Sequence, residues 1–192
     1  CLRWVAFADV YAQRSLAWLA GVMRAGGFGG VPLFHNFPPT EPEMVDLPAA
    51  EAALAAGAGG EGAVVGLDFY HRRSDYARYR RRALYLTGTA ATLPMAPEVG
   101  LGGPLWLPPM SPEDQQNVIR GLLMAGSRSM IFFMTVERER LYGSPIGADG
   151  GLRAAPAAFV RRLLAVLAET GWTRLRPRAP VALVVRRAGK RQ

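Results

Sequence analysis

The polar residues most able to do chemistry in this chain stand where its apolar runs stop. "VPLFHN" ends in His35 and Asn36, "GAVVGLDFY" ends with Asp68 and Tyr70 around a phenylalanine, "LPMAPEVG" carries Glu98, and "SMIFFMTV" runs into Glu137 and Arg138. A carboxylate at the tail of a buried run suits work that a fully solvated acid does poorly: nucleophilic attack, proton transfer or metal ligation. Glu98 is the lone acid of its run, and Tyr70 is a hydroxyl donor able to serve it. His35, His71, Asp68 and Glu98 together have the donor types of a metal-dependent hydrolase, although His-x-His spacing is missing and the two histidines come from different loops. Asp68, His71 and Ser74 have the types of a hydrolytic triad, but residues so close along one loop rarely converge, and no nucleophile elbow surrounds the serine.

The elements that must position these groups alternate between strand and helix. Residues 10–25 carry Val10, Leu16, Leu19, Val22 and Met23 at helical spacing, and "GGFGG" stops them. The strands read at residues 31–36, 62–70, 91–99 and 129–136, with "PVALVV" (180–185) as a fifth. Between them come a proline-rich loop, a brief helix over 49–57, and a helix over 75–88 with Ser74 as its cap and Gly88 as its stop. The loop 100–110 leads to a helix opened by Ser111, Pro112, Glu113 and Asp114 and closed by Gly126. A long polar loop over 137–154 precedes a last helix from Pro156 to Gly171. Continuous apolar strands alternating with helices predict an α/β chain with a parallel sheet, either doubly wound or a barrel of strand–helix units. "GGFGG" precedes a strand instead of following one, so it is not the glycine fingerprint of a nucleotide-binding open sheet. In a parallel barrel the site lies at the carboxyl ends of the strands, where these polar residues cluster.

Composition narrows the classes. Half of the 192 residues are hydrophobic, ample for a packed core. The chain opens on Cys1 inside a helical pattern, which points to a segment of a longer polypeptide. A single cysteine excludes an internal disulfide framework and a multi-cysteine metal site. No signal peptide is visible and no apolar run reaches the roughly 20 residues of a membrane span, so no membrane partner is expected and a cytoplasmic location is. The net charge of +8 is almost wholly arginine, Lys190 being the only lysine, and it is dispersed apart from "RYRRR" (Arg78 to Arg82) and the tail. Without an aromatic–basic motif, nucleic acid is not expected as a partner.

Taken in order, "GLDFY", "PMAPEVG", "FFMTVERERLYGSPIGADGGLR", a helix and "PVALVV" resemble the second half of the β-galactosidase-like glycoside hydrolases of families 35 and 42, over about Trp4 to Val185. The resemblance implies residues 1–175 as strands five to eight of a retaining (β/α)₈ TIM barrel of clan A, with 176–192 a linker and the start of a following domain. It makes Glu98, at the end of strand seven, the catalytic nucleophile. The general acid/base of that clan follows strand four, commonly after an asparagine; this chain has no Asn-Glu pair, and its first helix corresponds to the one after strand four. Retaining chemistry needs two carboxylates about 5–5.5 Å apart, one to attack the anomeric carbon and one to protonate the leaving oxygen and later activate water. The attacking carboxylate must be ionised, and a hydroxyl donating to it favours that form. By the clan's pattern this falls to Tyr70.

The resemblance further places Trp106 as a sugar-stacking indole, with His35, Asn36 and Glu137 as substrate-binding groups; Glu137 equally suits a charged loop paired with Arg138 or Arg140. Phe132, Phe133 and Met134 stand where many clan members carry a tryptophan under the sugar. A carbohydrate substrate cleaved at terminal β-galactosides, no organic cofactor, no bound metal, and a homo-oligomer in the intact protein complete the expectation. A metal-dependent hydrolase on the same barrel and a non-catalytic, carbohydrate-binding barrel are the alternatives. The isolated chain is expected to be inactive.

Overall fold

The computed structural model describes residues 2–38, 45–60, 62–89, 92–104, 110–176 and 178. Helix α1 (Leu2–Ala25) leads to strand β1 (Leu33–Phe37), then α2 (Leu47–Gly57), β2 (Ala63–Leu67), α3 (Tyr76–Thr89) and β3 (Met95–Gly100). A short β4 (Gly103–Pro104) precedes α4 (Pro112–Ala125), β5 (Ser129–Phe133), a short β6 (Leu141–Tyr142) and α5 (Ala154–Glu169). Four strands form a parallel sheet in the order β1-β2-β3-β5, each joined to the next by a helix. The chain is therefore an α/β fold, and among the described residues the strands of this sheet follow one another in sequence order, without the reversal that a doubly wound sheet would show.

Local signals account for most boundaries. Ser111 Oγ accepts from Asp114 N and the Asp114 carboxylate accepts from Ser111 N, a reciprocal capping box; Gly126 ends α4 in the left-handed conformation that glycine adopts without a Cβ penalty. Asp46 caps α2 by accepting from Ala49 N at 3.2 Å. The helix expected over 75–88 differs at both ends. A 3₁₀ turn, Arg73–Asp75, leads into it in place of a Ser74 cap, and it runs through Gly88 to Thr89. The Gly88 φ stays in the ordinary helical range, so nothing there forces a stop.

The loop over 137–154 is also more ordered than its polarity predicts. β6 pairs antiparallel with β4, and bridges join Val136 to Ile146 and Ile146 to Leu152. The expected strand at 180–185 falls outside the described residues.

The core lies between the sheet and its helices. Leu33, Val65, Leu67, Phe69, Ala96 and Val99 from the strands meet Leu54 of α2, Tyr79, Ala83 and Leu86 of α3, and Val118, Ile119 and Leu122 of α4. Close helix crossings are set by glycines. A Cβ on Gly121 would sit 2.1 Å from the Tyr79 hydroxyl, which instead donates to Val118 O at 2.7 Å and ties α3 to α4. Helix α1 packs on α2 through Leu16 and Ala20, while Trp4, Phe7, Tyr11 and Trp18 stay exposed. Among the described residues, no helix is long and apolar enough to cross a membrane.

Candidate active site

Strand geometry sorts the polar residues by face. Neighbouring residues on a strand point to opposite sides of the sheet. Leu33, Val65, Leu67 and Phe69 face the helices, so Asn36, Gly66 and Asp68 belong to the other face, with Asn36 opposite Gly66 in register. That second face also carries Phe34 and Ile131, both exposed.

Glu98 reaches the same face through an irregularity in β3. From Ala96 to Val99 the strand advances three residues while β5 advances two, from Met130 to Phe132. One extra residue is inserted at Pro97–Glu98, where the proline ring has no N–H for the ladder. Ala96 and Val99 both remain in the core. With strict alternation Glu98 would follow Ala96 into the helix-covered side; the bulge turns it to the open side instead. Gly66 makes the bulge fit, since a Cβ there would lie 2.3 Å from Met95 O and 2.4 Å from Pro97 Cδ. Backbone bonds from Phe69 N to Glu98 O (2.7 Å) and from Gly100 N to Phe69 O (3.0 Å) then lock β3 beside the end of β2.

The side chains at this strand end form one hydrogen-bonded array. Tyr70 OH donates to Glu98 Oε2 at 2.8 Å. Asn36 Nδ2 donates to Glu98 Oε1 at 3.2 Å and to Asp68 Oδ2 at 3.0 Å, so the two amide protons serve two carboxylates. Asp68 is 3% exposed, and its Oδ1 has no partner among the described residues. Burial, and behind it the nearby Glu98 charge, pushes the Asp68 carboxyl up to about 7, against the lowering pull of Asn36 and Arg82. The Tyr70 hydroxyl is pushed well above its ordinary value by burial and then by Glu98, so it stays a donor at any physiological pH.

Arg82 supports this array from the helix side. Its side chain is fully buried. Nε donates to Asp68 O at 3.0 Å, Nη2 donates to Pro38 O at 2.8 Å and Phe37 O at 3.3 Å, and the guanidinium lies 5.6 Å from the Phe69 ring centroid. The carbonyls that end β1 and β2 are thereby satisfied by one side chain. Read as part of the basic run "RYRRR", Arg82 looks like a solvated charge. Its phase was the available signal: Tyr79, Arg82, Ala83 and Leu86 share the buried stripe of α3.

The remaining candidates are dispersed. His35 lies across the sheet from Asn36, its ring edge-on to Phe37 at 4.8 Å, and burial lowers its pKa. It is therefore not brought together with Glu98. His71 is buried beside Phe69 and Tyr79, and burial, then the Arg82 and Arg78 charges, lower it to about 4, so it is neutral at pH 7. Glu137 Oε1 accepts from Gly143 N at 2.9 Å and Oε2 accepts from Arg153 Nη2 at 3.1 Å. Those bonds hold its carboxyl below the usual range and brace the loop that follows β5. Ser74 is exposed, and Trp106 falls outside the described residues.

The array can present one carboxylate, fixed at both oxygens, toward the open face of the sheet. Among the described residues, no three His, Cys, Asp or Glu side chains are grouped as a metal site would need. Compared with known proteins, the chain matches no family model, no curated protein and no solved structure.

Proposed function

We propose that this chain is part of a retaining, β-galactosidase-like glycoside hydrolase, with β1, β2, β3 and β5 as strands five to eight of a (β/α)₈ barrel and Glu98 as the nucleophile. The observation that carries this reading is the placement of Glu98. It stands at the carboxyl end of a parallel strand, turned to the face away from the helices, with Tyr70 and Asn36 donating to its two oxygens. The sequential strand order supports a barrel, since closing such a sheet puts all helices outside and leaves the Glu98 face within.

In this reading the Glu98 carboxylate forms a bond to the anomeric carbon as the glycosidic carbon–oxygen bond breaks, and water then releases the sugar. Tyr70 and Asn36 orient the carboxylate, so little rotational freedom is lost on the way to the transition state. The second carboxylate this chemistry requires is assigned to the strand-four position of the barrel, as the resemblance implies. Asp68 is unsuited to that part, because a group shut off from solvent cannot flank a scissile bond or deliver water. The metal-dependent alternative draws no support from the site, since His35 and Glu98 occupy opposite faces.

The test is made on the intact protein. An activated 2-fluoro-β-galactoside should leave a covalent adduct that mass spectrometry maps to Glu98. Glu98→Gln, nearly the same shape, should lower kcat for an aryl β-galactoside by a factor on the order of 10⁴ or more with an unchanged melting temperature. A variant with near-normal turnover, or an adduct on another residue, removes Glu98 from this role. Sugar binding with neither adduct nor turnover would make the protein a carbohydrate-binding barrel.

A further inference from the structure

Asp68 has no part in the bond-making steps just described, yet it is the most deeply buried carboxylate of the array. We infer that Asp68 is a positioning residue for Glu98, acting through the shared Asn36 amide and holding it in place only while Asp68 carries a proton. The inference rests on the glycosidase reading for its kinetic consequence and on geometry for its mechanism.

Asn36 Nδ2 has two protons and two carboxylate acceptors, Asp68 Oδ2 at 3.0 Å and Glu98 Oε1 at 3.2 Å. Whatever changes the pull at one acceptor changes the amide's place at the other. A charge on Glu98 disfavours a second charge on Asp68. Their surroundings are unequal. Glu98 is half-buried with donors on both oxygens. Asp68 is buried, and its Oδ1 lacks a partner among the described residues. The charged groups that act on Asp68 are Glu98 from β3 and Arg82 from α3, with Asn36 of β1 as its donor; Tyr70, beyond the end of β2, feels the charges of both carboxylates and remains protonated.

Burial pushes the Asp68 carboxyl up to about 7, so Asp68 holds a proton below neutrality. In that state Asp68 is a weak acceptor and the amide is shared in favour of Glu98. Once Asp68 ionises it becomes a strong acceptor, draws Asn36 toward itself and loosens one of the two bonds that orient Glu98. Formation of the covalent intermediate should then slow as pH rises through neutrality.

Two measurements on the intact protein test this. The side-chain amide resonances of Asn36, followed by NMR across the pH range, should titrate with a midpoint near neutrality in the wild type and be flat there in Asp68→Asn. The rate of covalent labelling by a dinitrophenyl 2-fluoro-glycoside should show an alkaline limb. That leaving group needs no proton from the enzyme, so the limb reports the surroundings of Glu98 and not the acid/base. In Asp68→Asn the limb should disappear or move up by more than about one pH unit, a change in rate of about tenfold at mildly alkaline pH. A residue with a merely structural role would lower the rate equally at every pH.

An Asn36 amide that does not titrate, or a labelling limb that stays in place in Asp68→Asn, overturns the inference. A wild-type amide that stays flat overturns the inference without any variant, so the test holds even if Asp68→Asn does not fold. Absence of any labelling, together with a titrating amide, would count against the glycosidase reading while leaving the Asp68–Asn36 coupling standing.

Discussion

Tyr70 and Glu98 divide the work of the site between a donor that cannot lose its proton and an acceptor that it orients. The Tyr70 hydroxyl is pushed above its ordinary range by burial and by Glu98, and its 2.8 Å bond to Oε2 is the shortest in the array. Gly100 lets the ring lie where it does, because a Cβ at that position would stand 3.0 Å from Tyr70 Cδ1. Hydrogen bonds to a charged group contribute about 1.5–3 kcal/mol. Tyr70→Phe should therefore lower kcat by roughly 10–100-fold with little change in KM, since in the proposed reaction the lost bond orients the attacking group and does not hold the sugar. Steady-state kinetics on a galactoside series checks this; a change confined to KM would move Tyr70 from the nucleophile to the sugar. Of this site, the residue types were readable in the sequence and their pairing was not. Glu98 and Tyr70 stand out as polar groups ending apolar runs, whereas the Asn36 bridge depends on strand register, which no local pattern encodes.

At the scale of elements, the bulge in β3 decides which way Glu98 faces. Pro97 removes a ladder donor, Gly66 of β2 leaves room for its ring, and Val99 returns to the core one residue later than strict alternation would bring it. Gly66→Ala places a methyl against Met95 O and Pro97 Cδ. Overpacking of that kind costs about 1–3 kcal/mol, and its relief requires Pro97 to shift. The variant should unfold at lower denaturant concentration and lose turnover beyond what its stability explains, because the shifted segment carries the proposed nucleophile. Equilibrium unfolding and kcat measured on the same preparation separate the two effects; wild-type values of both would show that the bulge needs no glycine beside it. The contrast with α4 explains what sequence can reveal about such elements. Ser111, Pro112 and Gly126 act within a turn of their own positions, so both ends of that helix are readable. The bulge is a relation among β2, β3 and β5, and the buried place of Arg82 is a relation between α3 and the ends of β1 and β2. The bulge is visible in no single segment, and the phase of α3 puts Arg82 on the buried stripe without showing which carbonyls it meets.

The whole molecule has one face packed and one open. Helices α2, α3 and α4 cover the sheet on one side, while Phe34 and Ile131 on the other side are exposed, as are Trp4, Phe7, Tyr11 and Trp18 along α1. Among the described residues β1 and β5 each pair on one side only, which leaves backbone groups at both edges of the sheet. In the proposed barrel the open face lies inside and the two edges pair with the remaining strands. Taken alone, the 192-residue chain would expose that face and those edges to water, and apolar surface of this kind associates. The isolated chain should therefore sediment as oligomers or aggregates and hydrolyse no aryl β-galactoside, because Glu98 would lack the second carboxylate opposite it. Sedimentation velocity and a sensitive fluorogenic assay on the same sample decide the point. A monodisperse monomer would mean that the open face is a true surface and that the sheet needs no further strands. Measurable turnover by that monomer would place both catalytic groups within these residues and return Asp68 to consideration as the acid.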